Sequence, residues 1–104
     1  MQKLDATLFD EIIYDDAESC LVIFSRKSCH VCQSIKPILE DLEQEYEGRF
    51  GFYQVDVEEQ KDLFNRFSLK GVPQVLFFAD GEYVKKIGGQ KEEEDYIEQI
   101  ESML

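Results

Sequence analysis

Two cysteines separated by two residues, Cys29-His30-Val31-Cys32, are the side chains in this sequence best placed to do chemistry. Thiols at that spacing lie close enough to close a disulfide on each other, which makes the pair a redox couple. They follow an apolar run and open a helical pattern. The first turn of a helix carries unpaired backbone N–H groups and the positive end of the macrodipole, so a thiol there ionises more readily than the usual pKa of about 8.5. Only the thiolate attacks a disulfide. The same spacing also serves as half of a zinc site, or arises as two small buried residues without chemistry. A tetrahedral zinc site needs four ligands. The remaining candidates are Cys20, which opens an apolar run, and His30, which should point away from its neighbours. With no second Cys-x-x-Cys and no His pair, the redox reading is favoured, as it is for this motif in a strand–helix–strand context.

The chain has 104 residues, enough for one domain, 1–104, with a single core that needs no disulfide staples. Three cysteines suit a reactive pair plus one structural thiol in a reducing compartment better than a secreted disulfide framework. The opening residues show no leader of signal-peptide type and no apolar stretch approaches ~18 residues, so the expectation is a cytoplasmic protein without a membrane partner. A net charge of −12 argues against nucleic acid and anionic membranes, both polyanions. That charge is uneven. From Ser19 to Leu39 there is no Asp or Glu, whereas Arg26, Lys27 and Lys36 lie there. They are either a solvated face or a local field that helps hold Cys29 as a thiolate.

The elements that must position the pair follow from periodicity. Leu8, Phe9, Ile12 and Ile13 predict a short amphipathic helix ending near Asp15, with Asp5 or Thr7 as N-cap. Cys20-Leu21-Val22-Ile23-Phe24 reads as a central strand covered on both faces. From Cys29 to about Glu47, Val31, Ile35, Ile38, Leu39, Leu42 and Tyr46 keep helical spacing, with Pro37 predicting a kink and Gly48 a C-terminal cap. Residues 50–57 read as the next strand, parallel to the first through a right-handed crossover. Leu63, Phe64 and Phe67 predict another short helix. Residues 74–78 and 83–87 form a hairpin about Asp80-Gly81. Tyr96, Ile97, Ile100, Met103 and Leu104 line a final helix whose acidic residues form a solvated face and suit its positive end.

In this order the chain resembles the thioredoxin family over nearly its whole length. Three features carry the likeness: Cys29-x-x-Cys32 at a strand-to-helix junction, Pro37 five residues after the second cysteine, and Gly71-Val72-Pro73 before the hairpin. The resemblance implies an α/β, three-layer fold with a central mixed sheet of four or five strands flanked by about four helices. It puts the cysteines at the carboxyl end of a central strand, where open α/β sheets bind ligands, facing a cis peptide bond at Pro73. It implies that Cys29 is the attacking thiol and Cys32 the resolving one, and that Val72 and Pro73 offer the surface along which an extended substrate lies. Four departures stand against the pattern. His30-Val31 replaces the Gly-Pro of thioredoxin itself, Ser28 replaces the aromatic residue before the first cysteine, Ile23 takes the place of a buried Asp, and Gln54 that of a lysine. Asp56 is a weak substitute for the missing acid.

The function expected is a dithiol–disulfide oxidoreductase that reduces disulfide-containing proteins. It would work as a monomer, with no cofactor beyond its own Cys29–Cys32 disulfide and with a thioredoxin-reductase-like electron donor. The rivals are a thioredoxin-like binding, adaptor or redox-sensing module without turnover and a glutathione-coupled, glutaredoxin-like enzyme. His30, beside Cys29 in the first helical turn, is expected to favour the thiolate and so make the protein a better oxidant. Cys20, nine residues before Cys29 in sequence and at the far end of its strand, is expected to be buried and inert, the alternative being regulatory oxidation or an intermolecular disulfide.

Overall fold

The computed structural model describes residues 1–104. Five strands form one sheet in the order β1-β3-β2-β4-β5, with β1 Gln2–Lys3, β2 Cys20–Ser25, β3 Gly51–Asp56, β4 Gln74–Ala79 and β5 Glu82–Gly88. β1, β3 and β2 run parallel, β4 is antiparallel to β2, and β5 is antiparallel to β4. Because successive side chains of a strand point to opposite faces, β2 serves two cores at once. Cys20, Val22 and Phe24 enter one with Phe9, Ile13, Leu63 and Phe78, while Leu21 and Ile23 enter the other with Ile35, Leu39, Tyr96 and Ile100. All six residues of β2 are buried, as the unbroken apolar run predicts.

The first core lies under α1 (Ala6–Asp10) and α3 (Lys61–Arg66), the second under α2 (His30–Glu45) and α4 (Glu93–Met103), so helices cover both faces of the sheet. Asp5 caps α1 by accepting the Leu8 N–H at 2.8 Å. The helix then widens into a π-helical segment, Glu11–Asp15, whose end brings the Asp16 N–H to the Glu11 carbonyl at 2.8 Å. α2 contains Pro37 and continues through it to Glu45. The donor that Pro37 lacks would have served the carbonyl of Gln33, an exposed residue that water can satisfy. Between β4 and β5, Asp80 (φ 55°) and Gly81 (φ 78°) form a two-residue turn with both central angles positive, the geometry that Asp-Gly supplies best.

Sequence and structure part at three places. The two residues of β1 carry no periodic signal, yet they pair with Tyr53 and Gln54. The long helix stops at Glu45, with Tyr46 as its C-cap, and Gly48 takes its positive φ of 81° in the turn beyond. In α4 the acidic run does more than face water, because the Glu92 N–H donates to the Asp95 carboxylate at 3.0 Å and so closes the helix start. No helix is long and apolar enough to cross a membrane.

Candidate functional site

β2 ends at Ser25, a short turn follows, and Cys29 becomes the N-cap of α2 with an extended backbone (φ −102°, ψ 111°). That conformation aims its sulfur back along the helix start, where the Cys32 N–H donates to Cys29 Sγ at 3.1 Å. Serine, threonine, aspartate and asparagine side chains make the same contact at other helix starts. Here a sulfur takes the place of the oxygen, so one of the orphan donors of α2 is spent on Cys29 Sγ. Cys29 and Cys32 are joined as a disulfide with Cα atoms 5.2 Å apart. Cys29 is partly exposed and Cys32 is fully buried. A reagent approaching from solvent therefore meets the first sulfur and not the second.

His30, the first residue of α2, is exposed and its side chain makes no hydrogen bond within the chain; its carbonyl accepts from the Ser34 hydroxyl at 3.3 Å. Pro73 follows a cis peptide bond and is buried. Antiparallel register sets Phe24 opposite Gln74, so Val72 and Pro73 stand at the same end of the sheet as the turn that carries Cys29. The Pro73 carbonyl is taken by the Gly89 N–H at 3.1 Å, whereas Val72 keeps both its N–H and its carbonyl free of partners in the chain. An open donor and acceptor on one half-buried residue offer the pairing that an added extended strand needs.

The positions that depart from the family pattern lie beneath this site. Ile23 is fully buried, in register with Gln54 on β3. The Gln54 amide donates to the Met1 carbonyl at 2.6 Å, so it ties down the amino terminus. Asp56 is not free to replace the missing acid. Its Oδ1 already accepts the Glu58 and Glu59 N–H groups at 2.9 and 3.4 Å. Cys20 stands at the opposite end of β2, fully buried, and desolvation followed by the nearby Glu18 charge pushes its pKa up from 9.0 to about 12. Three further side chains around the pair escaped the sequence reading. Lys3 arrives from β1 beside Arg26 and Lys27, and Glu59 reaches Lys3 at 2.9 Å and Lys27 at 4.0 Å. Gln74, directly after Pro73, keeps a buried Oε1 without a donor. Only the two-residue strand β1 could have announced Lys3, and it has no pattern to read.

A mixed sheet between two helical layers, with a cysteine pair capping the helix that follows its central strand and a cis-proline loop at the same sheet end, defines a thioredoxin-type thiol–disulfide oxidoreductase. The comparisons agree. The family model described as Thioredoxin matches residues 1–102, and the chain belongs to the thioredoxin family. The thioredoxin of Staphylococcus saprophyticus is 32% identical, across 98% of this chain and 96% of its own length. A protein of Arabidopsis thaliana called NADPH-dependent thioredoxin reductase 3 is 29% identical, across 97% of this chain but only 21% of its own length. Among solved structures, a mutant thioredoxin from Halobacterium salinarum superposes with a TM-score of 0.86 at 27% identity, covering 97% of this chain and 88% of that one.

Proposed function

We propose that this protein reduces disulfides in other proteins through a division of labour between Cys29 and Cys32. In the reduced protein, the Cys29 thiolate attacks one sulfur of a substrate disulfide, forming a mixed disulfide and releasing the other substrate sulfur as a thiolate. Cys32 then gives up its proton and attacks Cys29 Sγ. This frees the second substrate sulfur and leaves the Cys29–Cys32 disulfide, so two electrons have passed to the substrate. The observation that carries this reading is the N–H of Cys32 aimed at Cys29 Sγ at the start of α2. A donor fixed there favours the charged sulfur over the neutral thiol, and the burial of Cys32 keeps it from solvent until the mixed disulfide makes the neighbouring Cys29 sulfur open to attack.

Val72 and Pro73 are the surface that receives the substrate backbone, with the open N–H and carbonyl of Val72 as its pairing groups. His30 tunes the neighbouring thiolate from its exposed place in the first turn. The protein acts as a single-domain cytoplasmic monomer, carries its redox group in its own chain, and takes its electrons from a reductase of the thioredoxin-reductase type. The test is insulin reduction driven in turn by dithiothreitol, by a thioredoxin reductase with NADPH, and by glutathione. Turnover with the first two is expected. Turnover with glutathione alone would make this a glutaredoxin-like enzyme, and none with any donor would make it a non-catalytic module.

A further inference from the structure

Where β2 ends beside β3 lies a cleft of about 190 Å³ lined by no hydrophobic residue, walled by Lys3, Arg26, Lys27 and Lys36 with Ser25, Gln54 and Asp56. It adjoins the reactive pair: the Cys29 N–H donates to the Arg26 carbonyl at 3.4 Å, and Lys36 follows Cys32 by one turn of α2. Glu59 pairs with Lys3 and Lys27, and Asp56 is held by backbone N–H groups, but Arg26 and Lys36 make no ion pair. Four cations against two carboxylates leave a positive pocket in a chain whose net charge is −12. Unrelieved like charge is a cost to the fold, and an incoming anion removes it.

We infer that this cleft selects the substrate: it takes an Asp or Glu carboxylate beside the disulfide of an acidic polypeptide. The inference rests on the reductase reading above and adds the class of protein on which it acts. The size fits, since the cleft holds a side-chain carboxylate with its water while the rest of the segment crosses the disulfide towards Val72. The charge distribution decides the sign. An acidic partner is repelled by most of the molecule and attracted at one place. With a screening length of about 8 Å at physiological salt, contact is governed by the local patch rather than the total charge.

The experiment uses three peptides that share one disulfide loop and differ only in flanks of Glu, Gln or Lys. kcat/KM is measured for the whole protein and for an Arg26→Gln, Lys36→Gln double variant, whose two side chains belong to neither core. For the wild type, the acidic peptide should be reduced about tenfold faster than the neutral one at low salt, and the ratio should shrink as salt rises. In the double variant that ratio should fall towards one. An acidic-to-neutral ratio of one or less in the wild type, or a preference that survives in the double variant, would overturn the inference. If instead no peptide is reduced at all, it is the reductase reading that has failed, and this inference falls with it.

Discussion

The two ends of strand β2 carry the same functional group in opposite circumstances. At its start, Cys20 is flanked in register by Gly51 of β3 and Phe78 of β4, sealed in the core below α1, and its thiol pKa is pushed up to about 12 by desolvation. Beyond its end, Cys29 has left the ladder, caps a helix and takes an N–H on its sulfur. Burial penalises the thiolate at one end and a fixed donor favours it at the other, within one run of ten residues. Reactivity here is a property of element boundaries: β2 is paired on both sides, by β3 and β4, whereas the start of α2 leaves a backbone donor over for sulfur.

The largest effects are expected at the reactive end. Cys29→Ser should reduce insulin turnover to the uncatalysed background. Cys32→Ser should also stop turnover but accumulate mixed disulfides with substrate, visible on non-reducing gels. Trapping by the Cys29→Ser variant instead would invert the assigned roles.

Next in size is an attempt to make the strand interior polar. Ile23 is fully buried and its cross-strand neighbour Gln54 is an amide that already donates to Met1, so an aspartate there is buried without a cation opposite it on β3. Ile23→Asp should destabilise the fold by about 3 kcal/mol or more and lower Tm by over ~10 °C. It should also speed the second step of exchange by offering Cys32 a proton acceptor. Thermal melts and stopped-flow resolution kinetics check the two halves separately.

A smaller effect sharpens the inert end. Cys20 keeps its proton in the folded state up to about 12, while the unfolded chain loses it from about 9. The folded state then binds more protons, so stability is full below pH 9 and falls as pH rises through the window between these values. By pH 10 the loss from this group is about 1.4 kcal/mol, and Cys20→Ala should remove that part of the slope in urea titrations at pH 8, 9 and 10. The smallest effect concerns His30. Replacing His30-Val31 by Gly-Pro should make the protein more reducing by a few tens of millivolts in a glutathione buffer, since about 30 mV corresponds to ~1.4 kcal/mol for this couple. An unchanged potential would mean that the exposed imidazole does not tune the pair.

Much of this was legible from residue order. The apolar run at 20–24, the helical spacing after Cys29 and the Asp80-Gly81 turn each carry a local signal strong enough to set an element, and together they place the pair at the end of a central strand. What stayed hidden depends on contacts between distant segments. β1 is two residues long and exists only because Tyr53 and Gln54 offer it an edge. The cation cleft was visible as three positive residues near the cysteines, but not as a pocket, because Lys3 joins it through that edge and Asp56 through the end of β3. The occupation of Asp56 by two backbone donors likewise appears only once the turn at 56–59 has closed.

The contrast between the two ends of β2 is tested most directly by timed alkylation of the fully reduced protein at neutral pH, with each cysteine followed by peptide mass spectrometry. Cys29 should be modified first, Cys32 later, and Cys20 only after denaturant unfolds the chain. Modification of Cys20 in the native protein at a rate comparable to Cys29, or of Cys32 ahead of Cys29, would contradict the account.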